Sequence, residues 1–166
     1  MDFELKPLTP LAEGRALELA RHYRLLNEPA QAESICRDIL RVDDHHQEAL
    51  TVLLLALTDQ FNQEIGDSFH RARQVLDRLR GEYERAYYSG IIYERMGRAK
   101  LRRGAPGGSS AAYEALREAM QLYEKAEELR PPGNDDAILR WNACARLIMD
   151  RSLRPSPEDS FIPLLE

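Results

Sequence analysis

The chain has 166 residues, of which 43% are hydrophobic and 31% are charged, and its formal net charge is −5. This composition excludes a disordered chain, because there is enough apolar material for a core. The longest apolar run, residues 52–57, is too short to cross a bilayer, and the N-terminus lacks the apolar core of a secretion signal. Cys36 and Cys144 show no metal or redox spacing. We therefore expect one cytoplasmic domain over residues 1–153, followed by an extended tail over residues 154–166.

Seven helices are predicted along the chain, and no segment has the pattern of a strand. The first begins at Thr9-Pro10, where a hydroxyl cap precedes a proline whose missing N–H is not needed. The fifth is predicted to extend from about Tyr83 to Arg103, and the glycine-rich residues 104–110 after it are predicted to be a linker. Polar, proline or glycine breaks separate the others at residues 27–29, 43–46, 61–67, 81 and 130–133.

Apolar residues at helical spacing predict which face of each helix is buried. On the first helix these are Leu11, Leu19, Tyr23 and Leu26. The second, third and fourth helices are predicted to bury Ala32, Ile35, Cys36, Ile39, Leu40 and Val42, then Leu50, Leu53, Leu54 and Leu57, then Phe69, Ala72, Val75, Leu76 and Leu79. The seventh is predicted to bury Ile138, Trp141, Ala145 and Ile148.

The helices occur in pairs that share a pattern. Residues 32–46 and 119–133 both place a small residue first, a bulky residue four positions later and a polar turn at the end. Each pair also repeats a pattern of three residues. Two of them, the second one bulky, lie about one turn apart on the first helix, and the third is an alanine on the second helix. These trios are Ala20/Tyr23/Ala32, Leu54/Leu57/Ala72 and Gly90/Tyr93/Ala119.

In this pattern the chain resembles the tetratricopeptide repeat (TPR) family, including its small bacterial members, over about residues 13–133. The resemblance implies an all-α, TPR-like α-solenoid of about three helix pairs with a C-terminal capping helix. Residues 60–67 and an enlarged connection at residues 98–115 depart from the family pattern. Stacking of the pairs would bury apolar surface that no pair can bury alone.

The resemblance also implies a binding function without enzymatic activity, as a scaffold or adaptor that holds a peptide or a helix in a concave groove. We expect no catalytic residue, no cofactor and no metal site, because the histidines and cysteines have no partner at a catalytic spacing. The pair His45-His46 is interpreted as part of a polar turn. The residues predicted to line the groove and contact a partner are Leu17, Arg21, Leu55, Glu84, Tyr87, Ile91 and Arg95.

Two alternative functions stay open at this point. The first is a secretion-type or other specialised TPR chaperone, because chaperones of that kind are similar to this chain in size and in acidic net charge. The second uses residues 71–103, which carry ten Lys or Arg against four Asp or Glu, to bind an acidic partner or, less readily, a nucleic acid. No membrane association is expected. The apolar residues near the end of the tail are predicted to pack on the helices of the same molecule or of a second copy.

Overall fold

The structure is a computed structural model, and it describes residues 2–63 and 65–156. The prediction of an all-α protein is confirmed, since the described residues contain helices and turns but no strand. Short 3-10 turns at Pro10–Ala12 and Gln60–Asn62 precede α1 and follow α3. The α-helices are α1 (Glu13–Leu25), α2 (Pro29–Val42), α3 (Gln47–Asp59), α4 (Gly66–Leu76), α5 (Glu82–Arg103), α6 (Gly108–Leu129) and α7 (Asp136–Asp150).

The chain forms two compact units that divide between Arg80 and Gly81. In the first unit, α1 packs against α2, α2 against α3 and α3 against α4, and α1 also contacts α3. Helix α3 is the centre of this unit, because its side chains are buried on several faces. The fully buried residues of its core include Cys36, Ile39, Leu50, Leu54 and Leu57.

The second unit consists of α5, α6 and α7. Helix α6 packs along α5 over most of its length and also contacts α7. Small residues on both helices allow the close approach of α5 and α6, and Gly90, Gly97, Ala112 and Ala119 are all buried. Consecutive packed helices of this kind give both units a repeat-like, all-helical character.

Local sequence explains where several helices begin and end. Pro29 occupies the first turn of α2, where no backbone N–H is required. At the start of α3, Nδ1 of His46 accepts a hydrogen bond of 3.2 Å from the backbone N–H of Ala49. Helix α5 ends at Gly104, whose φ of 61° lies in the left-handed region that favours glycine.

The connection between α5 and α6 is shorter than the predicted linker. Helix α6 begins at Gly108, so only residues 104–107 form the turn. The extra length at residues 98–115 is therefore mostly helix, because both α5 and α6 have 22 residues. The sequence predicts an enlarged connection between α5 and α6. In the structure the additional residues lengthen the two helices instead, which increases the area that they bury against each other.

Two predicted buried faces are wrong. On α1, Leu19 and Leu26 are exposed, as is Leu11 before the helix, whereas Leu17 and Ala20 are buried. On α7, the predicted Ile138, Trp141, Ala145 and Ile148 are only partly buried, and the fully buried positions are Ala137 and Cys144. On α2, Val42 is exposed rather than buried.

Beyond α7, Ser152 has a φ of 49°, and Leu153 turns back into the second unit, where it is buried. Residues 154–156 have no regular secondary structure. The prediction that the tail packs on the helices concerns residues 157–166, which lie outside the described residues. Within residues 2–63 and 65–156, no helix combines the length and apolar character that crossing a membrane requires.

Candidate protein-binding surfaces

The seven residues predicted to contact a partner are divided between the two units. In the first unit, Leu17 is buried at 5% exposure, Leu55 is half-buried and Arg21 is exposed. In the second unit, Ile91 is buried at 2% exposure. Tyr87 and Arg95 are half-buried, and Glu84 is exposed. Leu17 and Ile91 are thus packing residues in this structure, and we leave them out of the surfaces described below.

Three tyrosines at the N-terminal half of α5 form a tyrosine cluster, which consists of Tyr83, Tyr87 and Tyr88. Tyr83 and Tyr87 are one helical turn apart, and their rings stack with centroids 5.7 Å apart and an interplanar angle of 12°. The ring of Tyr88 lies edge-on to that of Tyr87 at 5.2 Å. All three tyrosines are half-buried, so each presents part of its ring at the surface.

Residues of α6 and α7 hold the tyrosine cluster in place. The ring of Tyr87 packs at 5.9 Å on Tyr123 of α6, which is fully buried. The guanidinium of Arg140 on α7 hydrogen-bonds Tyr87. Burial is the largest cause that raises the pKa of Tyr83 above its ordinary value, so its hydroxyl stays protonated at neutral pH.

Beneath the cluster lies a buried charge network made of Glu94, Arg98, Tyr123 and Arg140. Glu94 is only 1% exposed, and its carboxylate accepts hydrogen bonds from the Tyr123 hydroxyl at 2.7 Å and from Nε of Arg98 at 2.9 Å. Nη1 of Arg140 lies 3.5 Å from the same carboxylate. Burial alone would lower the pKa of Arg140, but Glu94 and the hydrogen bond to Tyr87 together raise it. Arg140 is thus a fixed cation that joins the network to the tyrosine cluster.

In the first unit, the polar residues that face each other across α1 and α3 form ion pairs. Arg21 pairs with Glu48, and Nε of Arg24 lies 2.8 Å from the Asp59 carboxylate. The sequence analysis placed Arg21 on the partner-binding face. The structure gives it a carboxylate within its own unit, at an exposed position where such a pair contributes little stability.

A basic groove between α2 and α4, here called the α2–α4 groove, was missed by the sequence analysis. It encloses about 600 Å³, and its lining combines apolar side chains such as Leu53, Leu57 and Val75 with four arginines and one carboxylate, which are Arg37, Arg41, Arg71, Arg78 and Asp38. Glu33, which is 8% exposed, pairs with Arg37 at 2.6 Å and with Arg71. The available signal in the sequence was the spacing of Arg37 and Arg41, which are one turn apart on α2. No local pattern shows that Arg71 on α4 and Arg78 just after it line the same groove.

The basic segment 71–103 is shared by the two units, and several of its charges have acidic neighbours. Arg71 pairs with Glu33 and also with Asp67 at 3.5 Å, while Arg98 pairs with Glu94. Each of these pairs reduces the positive charge that the segment offers to a partner. The excess of six basic over acidic residues in this segment therefore overstates the positive potential of this part of the surface.

The histidine pair and the two cysteines have structural positions. His46 caps α3 through Nδ1, and Nε2 of His45 lies 3.5 Å from Asp44. Among residues 2–63 and 65–156, no group of three His, Cys, Asp or Glu side chains is placed to hold a metal ion. Cys36 and Cys144 are both free and fully buried.

We predict that both thiols are unreactive in the folded protein. Burial is the main cause that raises the pKa of Cys36 and of Cys144 from 9.0 to about 12. Because only the thiolate reacts, raising the pH from 7 to 9 leaves both groups protonated while the chain stays folded. We expect modification by a disulfide reagent at pH 8 to be at least about 100-fold slower than in denaturant. Rapid native-state modification of either cysteine would contradict this expectation.

No model of a known protein family matches this chain, and no curated protein matches it at a significant level. The geometry described above is therefore the basis for assigning a function.

Proposed function

We propose that this protein is a non-enzymatic scaffold or adaptor that binds a peptide or a helix of another protein. The observation that carries the proposal is the tyrosine cluster on α5, with Arg140 fixed beside Tyr87. Tyrosine and arginine are among the residue types that contribute most to protein–protein binding energy. In the second unit they occur together at the surface, on helices rather than on loops.

The packing of the cluster favours binding because its side chains are already ordered. Tyr87 is restrained by its stacking on Tyr83, by Tyr123 below it and by the hydrogen bond from Arg140. A side chain that is ordered before binding loses little conformational entropy when a partner arrives. Tyrosine is enriched at interfaces because it joins an apolar ring to a hydroxyl group, although the hydroxyl of Tyr83 is itself buried here.

The resemblance to the TPR family remains part of this proposal. Its support is the sequential packing of the helices, and the burial of seven of the nine positions in the three trios. These seven positions are Ala20, Ala32, Leu54, Leu57, Ala72, Gly90 and Ala119. In that family the first helix of each pair faces the binding groove, and α5 has this position in the third pair. The narrower assignment as a secretion chaperone stays a prediction.

A second candidate function is favoured by the α2–α4 groove. Its lining carries four arginines and one carboxylate, that of Asp38, beside apolar side chains, and Arg41 has no ion pair or hydrogen bond with another described side chain. Such a lining suits an acidic peptide that also carries apolar residues. This candidate is a refined form of the acidic-partner alternative, because Arg71 and Arg78 belong to the basic segment 71–103.

We predict that replacing Tyr87 with alanine prevents the capture of a partner that the wild-type protein retains. Loss of a central interface tyrosine typically weakens binding by about 2 kcal/mol or more, or roughly thirtyfold. The measurement is affinity purification from cells of the source organism, followed by titration of each purified partner against wild type, Tyr87→Ala and Tyr88→Ala.

Tyr113→Ala is the matched control, because Tyr113 is a half-buried tyrosine of the same unit that lies outside the cluster. We expect Tyr113→Ala to bind every partner as the wild type does. A folded Tyr87→Ala variant that retained every partner with unchanged affinity would overturn the assignment of the cluster as the binding surface.

A further inference from the structure

A second cavity lies in the second unit, where the end of α5, the start of α6 and the end of α7 come together. We call it the Arg102 cavity, and it encloses about 570 Å³. Three arginines, Arg98, Arg102 and Arg151, contribute to its lining, together with Leu101, Leu147 and Leu153. Among the described residues, no acidic side chain lines it. The cavity thus combines apolar contact area with a positively charged lining.

Two of the three arginines have no partner among the described residues. Arg98 is bonded to Glu94, but neither Arg102 nor Arg151 forms an ion pair or a side-chain hydrogen bond with another described residue. Both are exposed, and both line the same cavity, although Arg102 lies on α5 and Arg151 follows α7. Like charges placed together in this way favour an anionic occupant.

The chain itself supplies a segment with the complementary pattern. Residues 157–166 contain Glu158, Asp159 and Glu166 and no basic residue, and their apolar side chains are Phe161, Ile162, Leu164 and Leu165. Leu153, the last buried residue before this segment, is itself part of the cavity lining. Five residues of extended chain can span up to about 17 Å, so Glu158 and Asp159 are within reach of Arg102 and Arg151.

We propose that residues 157–166 are the occupant of the Arg102 cavity in their own chain. Glu158 and Asp159 pair with Arg102 and Arg151, and the apolar side chains that follow cover the leucines of the cavity. Burial of these side chains removes apolar surface from water, while the two ion pairs fix the register of the segment.

The test uses the full chain with a photo-crosslinking amino acid in place of Phe161. Irradiation followed by peptide mass spectrometry is expected to give crosslinks within one chain, to residues that line the cavity, such as Leu101 or Leu147. The variant Arg102→Glu/Arg151→Glu is expected to reduce the yield of these crosslinks at least about tenfold, because charge repulsion replaces attraction. Adding Glu158→Arg/Asp159→Arg to that variant is expected to restore them.

The matched control is Lys125→Glu/Arg146→Glu, which changes the net charge by the same amount at two exposed positions of α6 and α7 outside the cavity. This control is expected to leave the crosslink yield unchanged. The variant Glu158→Arg/Asp159→Arg alone is expected to lose the crosslinks without altering the sequence of any helix. Crosslinks to other parts of the chain, crosslinks to a second copy, absence of crosslinks, or a yield insensitive to these charge reversals would each overturn the proposal.

Discussion

Replacing Glu94 with alanine is expected to lower the free energy of unfolding of the second unit by about 2–3 kcal/mol, because Arg98 and Arg140 are about a third exposed and can be solvated in part. The wild-type carboxylate is 1% exposed and compensates Arg98 and Arg140, while it also accepts the hydrogen bond of the buried Tyr123 hydroxyl. Its removal leaves the arginines without their anion and the hydroxyl without an acceptor. Desolvated polar groups without partners destabilise a fold more than the original hydrogen bonds stabilised it.

Urea denaturation followed by tryptophan fluorescence measures this effect, because Trp141, the single tryptophan, lies on α7 of the second unit. Tyr123→Phe removes only one hydrogen bond and is expected to cost about 1–3 kcal/mol. Glu118→Ala, at an exposed position on α6, is expected to change the stability by less than about 0.5 kcal/mol. If Glu94→Ala were as stable as Glu118→Ala, the buried network would not contribute to stability as described.

Replacing Gly90 with alanine is expected to destabilise the second unit by about 1–3 kcal/mol, although alanine is the better helix former. A Cβ atom at this position would lie 2.5 Å from Cε1 of the Tyr123 ring, which is closer than packed atoms approach. The ring cannot move aside freely, because Tyr123 is fully buried and its hydroxyl is bonded to Glu94. Thermal unfolding followed by fluorescence tests this expectation.

Gly14→Ala is the control for the helix-forming tendency of alanine. Gly14 lies on α1, and a Cβ atom there would meet no atom within 4 Å. This substitution is expected to leave the stability unchanged or to raise it by up to about 1 kcal/mol, as measured by circular dichroism. A Gly90→Ala variant that was as stable as Gly14→Ala would show that the contact between α5 and α6 at Tyr123 is looser than described.

Helix positions were largely predictable from the sequence because their end signals are local. Pro29 and Gly104 act through their own backbone geometry, so their effect can be read without knowledge of the fold. The buried face of α1 could not be read in this way. Leucines occur around much of this helix, and only the contacts made by α2 and α3 determine that Leu17 and Ala20 are the buried positions.

The candidate site was predictable only in part. Residues four apart on a helix share a face, and this spacing placed Tyr87 on the predicted surface, where the structure shows it half-buried. Such a row nevertheless turns by about 40° around the helix with each step, so Ile91 lies towards the core while Tyr87 reaches the surface. Arg140 and Glu94 required the structure, because their partners come from other helices and no local pattern indicates the pairing.

Photo-crosslinking from position 84 tests most directly whether the tyrosine cluster binds another protein. Glu84 is exposed and lies one turn before Tyr87 and Tyr88 on the same helix, so a crosslinking amino acid there samples the cluster without disturbing the core. Glu114, exposed on α6, provides the matched control position. We predict that position 84 forms a crosslink to a partner protein that Tyr87→Ala abolishes, and that position 114 forms none. Equal crosslinking from positions 84 and 114, or a crosslink from position 84 that persists in Tyr87→Ala, would contradict this account.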